Sequence, residues 1–202
     1  MRKPRLSGPA MASAALLCTT AVPTLAAEPV ATASCPAQGH ITYTLVKAAS
    51  PTADQADSYA RITTAMNQAL SLYNCHTNIT KSLRVSYVPS VPTAEGGYDG
   101  EINFGAKSSM QKVTAMHETA HTLGVGTYRT WPNRMVNGVW NGPAATAVVR
   151  QVTGDPAATV HGDAWHFWPG GLNYESEGRT ETDLINHITL VVALRKDMGI
   201  TS

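Results

Sequence analysis

Charge is scarce in this chain, and no part of it is strongly basic. Charged residues are 14% of 202, with 15 Lys+Arg against 14 Asp+Glu. No basic stripe exists to follow a phosphate backbone, so nucleic acid is excluded as an expected partner. Aromatic residues are also few, at 6%, with two Phe. The 16 Gly and 12 Pro follow no period, which excludes a collagen-like chain. A mean hydropathy of −0.12 excludes a multi-span membrane protein, and the low net charge a highly charged disordered chain. What remains is a globular protein long enough to bury a sizeable core in one domain.

The main apolar run, about Ala10 to Val22, is too short to span a bilayer and ends at Pro23. Arg2, Lys3 and Arg5 precede it, and the small-residue stretch Leu25-Ala26-Ala27 follows. That order reads as a secretory signal over residues 1–27, with a single domain over 28–202 and no membrane anchor. The expected destination is the periplasm or the medium. Removing the signal leaves 12 positive and 14 negative residues, or −2. Of the three cysteines, Cys18 lies in the signal. Cys35 and Cys75 are then most simply one disulfide, closing a loop of about 40 residues and contributing up to roughly 4 kcal/mol through chain entropy.

Residues 41–46, Ile-Thr-Tyr-Thr-Leu-Val, alternate with the period of a strand. Between about Ala53 and Asn74, Tyr59, Ile62, Met66, Ala69, Leu70 and Tyr73 recur at helical steps. A second strand is expected over 83–88, and a short edge strand over Glu101–Phe104. Ser108 or Ser109 is a candidate cap for a helix running to Leu123 and stopped by Gly124. Residues 125–180 are irregular apart from a helix over 143–152, and hold all four tryptophans, Trp131, Trp140, Trp165 and Trp168. Thr180 and Asp183 form a capping box opening a last helix, which Gly199 ends. The fold class expected is α+β.

His117-Glu118-Thr119-Ala120-His121 is an HExxH pattern lying on one of these helices. Two histidines four apart project about 40° from each other and can bind one Zn²⁺, while Glu118 stands beside them to take a proton from water. With seven His and seven Glu in the chain, chance supplies roughly 0.008 such matches. A purely structural zinc site would call on cysteines, and both of these are committed elsewhere.

These residues resemble the zincins, zinc-dependent metallopeptidases. The order of strand, helix, strands, edge strand and HExxH helix resembles theirs over residues 41–126. The resemblance implies a small mixed sheet whose edge strand, here Glu101–Phe104, pairs with an extended peptide substrate. His117 to Gly124 is similar to the metzincin signature HExxHxxGxxH, but Thr127 stands where its third His belongs. A closer similarity is to secreted microbial zincin-like domains, some joined to ricin-type lectin modules. Their hallmark resembles His166-Phe167-Trp168-Pro169 with Gly171-Leu172-Asn173-Tyr174.

The third ligand is open among His161, Asp163, His166, Glu175, Glu177 and His187. His166 is preferred, because it belongs to that hallmark and a neutral imidazole suits zinc. Asp163, if not a ligand, can orient a ligand imidazole. His187 reads as a packing histidine, and Met198 as core. Tyr174 is the candidate donor to an oxyanion. The expected activity is hydrolysis of a peptide or protein substrate, glycosylated or not. The rival expectation is a zincin-fold module binding glycan or wall polymer through the Trp-rich 131–168 region.

Overall fold

The structure is a computed structural model describing Cys35 and residues 37–201. The signal sequence expected over 1–27 lies outside the described residues. Within them the fold is α+β, with two small sheets and five α-helices.

Strand β1 (His40–Val46) leads into helix α1 (Ala53–His76), and strand β2 (Thr80–Tyr87) returns parallel to β1. Helix α1 opens on a capping box: Thr52 Oγ1 accepts from Gln55 N–H at 3.2 Å, and Gln55 Oε1 accepts from Thr52 N–H at 2.9 Å. All six apolar residues expected on its inner face are buried, and Leu83, Val85 and Ile41 meet that face from the sheet. The Cys35–Cys75 disulfide forms, with Cα atoms 4.6 Å apart, and ties the incoming chain to the last turn of α1.

Strands β3 (Ala94–Gly96) and β4 (Glu101–Phe104) complete a mixed sheet in the order β1-β2-β4-β3. The expectation that Glu101–Phe104 is the edge is corrected here. It lies inside, parallel to β2 and antiparallel to β3, with Ile102 and Phe104 fully buried. The edge is β3, whose Ala-Glu-Gly sequence carries no strand signal of its own and is held by pairing alone. At Gly96 an added Cβ would collide with the carbonyl oxygen of Glu118, so only glycine lets this edge lie against the helix beneath it.

That helix is α2 (Lys112–Thr122). Ser108 and Ser109 do not cap it but sit in a 3₁₀ turn, and Gln111 is the N-cap without a side-chain bond. Its C-terminal carbonyls are held by two cations: Lys81 Nζ donates to Thr122 O at 2.6 Å and Arg195 to Leu123 O at 2.8 Å. After α2 come α3 (Trp131–Arg134), β5 (Met135–Val136), β6 (Val139–Trp140), α4 (Pro143–Thr153), β7 (His161–Gly162) and β8 (Phe167–Trp168). Strands β5 to β8 form an antiparallel sheet of two-residue strands, too short to read from periodicity.

Helix α5 (Glu181–Asp197) opens on the Thr180–Asp183 capping box. Its final residue closes another helix's start. Asp197 accepts from Ala144 N–H and Ala145 N–H, each at 2.9 Å, and from Trp140 Nε1–H at 3.0 Å. Gly142, the N-cap of α4, has no side chain to do this itself.

His187 on α5 is completely buried and fully bonded. Its Nδ1 lies 2.8 Å from Gly170 O, and its Nε2 lies 2.9 Å from the Tyr73 hydroxyl, which itself donates to Met116 O at 3.1 Å. Burial lowers its pKa to about 4. The unfolded chain, with an ordinary histidine, therefore takes up a proton between about pH 6.5 and 4 that the folded chain refuses. Stability is complete above that window and falls as pH drops through it. We expect His187 to remove about 2 kcal/mol of stability between pH 7 and pH 5. Urea unfolding of wild type and His187→Gln checks this: equal pH slopes in the two would refute it.

Candidate metal centre

Helix α2 presents His117 and His121 one turn apart on the face toward β3 and the β7–β8 hairpin. His117 Nδ1 lies 2.9 Å from Gly171 O, and His121 Nδ1 lies 2.8 Å from Val125 O. A carbonyl only accepts, so both Nδ1 atoms carry the proton and both Nε2 atoms are left as lone pairs. Those Nε2 atoms face each other 3.0 Å apart. Two acceptors at that distance repel unless a cation lies between them. Two nitrogens bound tetrahedrally to one zinc at ordinary bond lengths stand roughly 3.3 Å apart.

The third imidazole comes from the hairpin. His166 sits in the turn between β7 and β8, and the ligand atoms of His117, His121 and His166 all lie within 4.8 Å of one another. Asp163 builds that turn. Its carboxylate accepts from Trp165 N–H at 2.8 Å and His166 N–H at 2.6 Å, and lies 3.2 Å from His166 Nδ1. This leaves His166 Nε2 for a metal, with the carboxylate orienting the ring. The hairpin docks on the end of α2 through Gly126, where φ is +70° and an added Cβ would strike the Trp165 backbone. Three neutral imidazoles with their outer nitrogens engaged are the donor set of a divalent transition metal.

Burial favours the neutral form of the two helix histidines. It lowers the His117 pKa to about 3, helped by the neighbouring His121, and lowers that of His121 as well. Glu118 is 5% exposed and lines the cleft beside the triad. Burial, and after it the Glu95 carboxylate on β3, pushes its pKa up to about 8. In the metal-free protein this carboxyl therefore holds a proton, and a nearby cation would draw it toward the ionised form.

The cleft itself has a volume of about 790 Å³, with β3 along one wall and residues 165–175 along the other. Tyr174 is 72% exposed and lines it. Of the other candidate ligands, His161 lies outside the triad with its Nε2 2.9 Å from Thr159 Oγ1. Glu175 lines the cleft but is no member of the triad, and Glu177 accepts from Leu172 N–H at 3.0 Å. Thr127, in the metzincin third-His position, donates to His121 O at 2.5 Å. Trp131 and Trp140 are buried against each other, whereas Trp165 and Trp168 flank His166 and are 58% and 44% exposed. Met198 is core.

Sequence reasoning missed the acceptors Gly171 O and Val125 O, the wall strand β3 and its Glu95. A backbone carbonyl leaves no trace in residue identity. Gly171 nonetheless lay within the stretch singled out, and its role supplies the reason. Comparison of the chain with protein-family models, with curated proteins and with solved structures finds no match.

Removing the orienting carboxylate should loosen the third ligand without unfolding the chain. Asp163→Ala is expected to lower metal affinity about 10- to 100-fold. Competition against a chromophoric chelator measures it, and an unchanged affinity would show that Asp163 only shapes the turn.

Proposed function

We propose that this chain is an exported, zinc-dependent hydrolase of the zincin type that cleaves peptide bonds. The observation that carries the reading is the convergence of His117, His121 and His166 next to the buried Glu118. Chain order is consistent with it: a βαβ unit, an antiparallel edge strand along the cleft, an inner strand and then the HExxH helix. The disulfide fits an oxidising destination.

Zinc held by the three Nε2 atoms would supply a Lewis acid that brings the pKa of water toward neutrality. Glu118, the one carboxyl buried beside the triad, takes the proton from the attacking water and returns it to the leaving amine. Its burial makes it basic enough for the first transfer. Strand β3 has a neighbour on one side only, so its outer edge can receive an extended peptide as a further strand. Tyr174, exposed at the opposite wall, donates a hydrogen bond from its phenol to the developing oxyanion.

Glu118→Ala should retain one zinc per chain and lose at least about 10²-fold in turnover of a peptide library. His166→Ala should lose most of the metal. Elemental mass spectrometry and peptide mass spectrometry on the two variants decide the reading. Absence of bound zinc in wild type, or unimpaired hydrolysis by Glu118→Ala, would overturn it. In the first case the exposed Trp165 and Trp168 would make glycan binding the better account.

A further inference from the structure

A second cavity, of about 410 Å³, adjoins the cleft and shares His117, His166, Asn173 and Tyr174 with it. Its other walls are Asp163, Trp168 and Glu177, and nothing from β3 reaches it. Two of its walls are the exposed rings of Trp168 and Tyr174, in a chain that sinks Trp131, Trp140 and Phe167 completely. Aromatic faces left in water around a recess beside a catalytic centre mark a ligand surface.

Charge specifies the ligand. Five carboxylates line the main cleft and two more the side cavity, which is half of the 14 in the chain. None of the 15 Lys and Arg lines either space among the described residues. Arg84 meets one of these charges at the rim, 3.4 Å from Glu101. Within the side cavity Asp163 has both oxygens engaged by the His166 turn. Glu177 differs: Oε2 accepts from Leu172 N–H at 3.0 Å, which fixes the carboxylate, and no hydrogen bond among the described residues uses Oε1.

A fixed carboxylate with one open oxygen in a cavity lined by two aromatic rings suits a guanidinium, which stacks on rings and donates in a planar fork. We infer that the side cavity is a subsite for a cationic side chain, arginine foremost, of a peptide whose scissile bond lies at the histidine triad. A neutral sugar could also stack on Trp168 and Tyr174, but it would gain nothing from a wall of carboxylates without cations. The assignment rests on the peptidase reading for the scissile bond, whereas recognition of the cation stands on the cavity alone.

The test uses the zinc-supplied full chain carrying Glu118→Gln, so that no probe is consumed. The probes are acetyl-Gly-Arg-Gly-amide and its citrulline counterpart, equal in shape but uncharged, titrated by NMR. The arginyl peptide should bind at least about tenfold more tightly, as a charge-assisted contact requires. About 1 M NaCl should remove most of that preference. Adding Glu177→Gln, which keeps the acceptor for Leu172 N–H, should reduce the preference to under about threefold while citrulline binding is unchanged. Equal affinities for the two peptides, or an undiminished preference in Glu177→Gln, would overturn the subsite. So would binding of tri-N-acetylchitotriose at Trp168 with no arginyl preference. Arginyl preference in a wild-type protein that hydrolyses nothing would instead sink the peptidase reading and leave the subsite standing.

Discussion

Two imidazole lone pairs aimed at each other across 3.0 Å are the constraint around which this molecule is arranged. The contact is repulsive on its own, and it survives because each ring is held from behind. Gly171 O and Val125 O fix the tautomers of His117 and His121, and Asp163 fixes the ring of His166. These three restraints come from the segment after β8, the turn after α2 and the β7–β8 hairpin. The α2 helix must therefore be anchored before any of them can act. Lys81 from β2 and Arg195 from α5 bind its last carbonyls, so the position of the HExxH helix is set by both ends of the chain.

Behind the triad stands a fourth histidine, also held by a carbonyl at Nδ1 but completely buried. Gly170 O holds His187, and the next carbonyl, Gly171 O, holds His117. One dipeptide thus links a buried packing imidazole to a member of the triad. Phe167 stacks on His187 with ring centroids 6.0 Å apart, and Tyr73 bridges His187 Nε2 and Met116 O. The stretch from His166 to Tyr174 accordingly contains a ligand, the packing partner of the buried histidine, two carbonyl acceptors and a cleft tyrosine. Its residues belong together because they join α5, α2 and the hairpin at one point.

How much of this was legible follows from where the information lay. The stripe of α1, the capping box of α5 and the disulfide are properties of side chains at fixed spacing, and the sequence announces them, whereas the Thr52–Gln55 box that opens α1 was not anticipated. His117, Glu118 and His121 share one helix, so their relation is local as well. His166 lies 45 residues beyond His121 in number but was reachable only through the company it keeps, since no spacing rule spans an irregular segment. Strand β3 was not anticipated because Ala94-Glu95-Gly96 has neither alternation nor β-branching, and what makes it a strand is the neighbour it pairs with. The same holds for β5 to β8. Asp197 capping α4 from 52 residues away is a tertiary substitute for a local cap, invisible wherever the N-cap is glycine.

The triad also couples folding to ligand binding. His117 and His121 meet His166 only when the hairpin is docked on Gly126, so a metal that takes all three nitrogens binds the folded chain and gains little from the unfolded one. Without a cation the fold carries the cost of two desolvated imidazoles, His117 and His121, and a desolvated carboxyl, Glu118. Free metal at about a hundred times its Kd would add roughly 2.7 kcal/mol of stability by mass action, a large share of what a domain of this size possesses. The polar centre that the fold holds open would then also be, once a metal fills it, one of the contacts that hold the fold together.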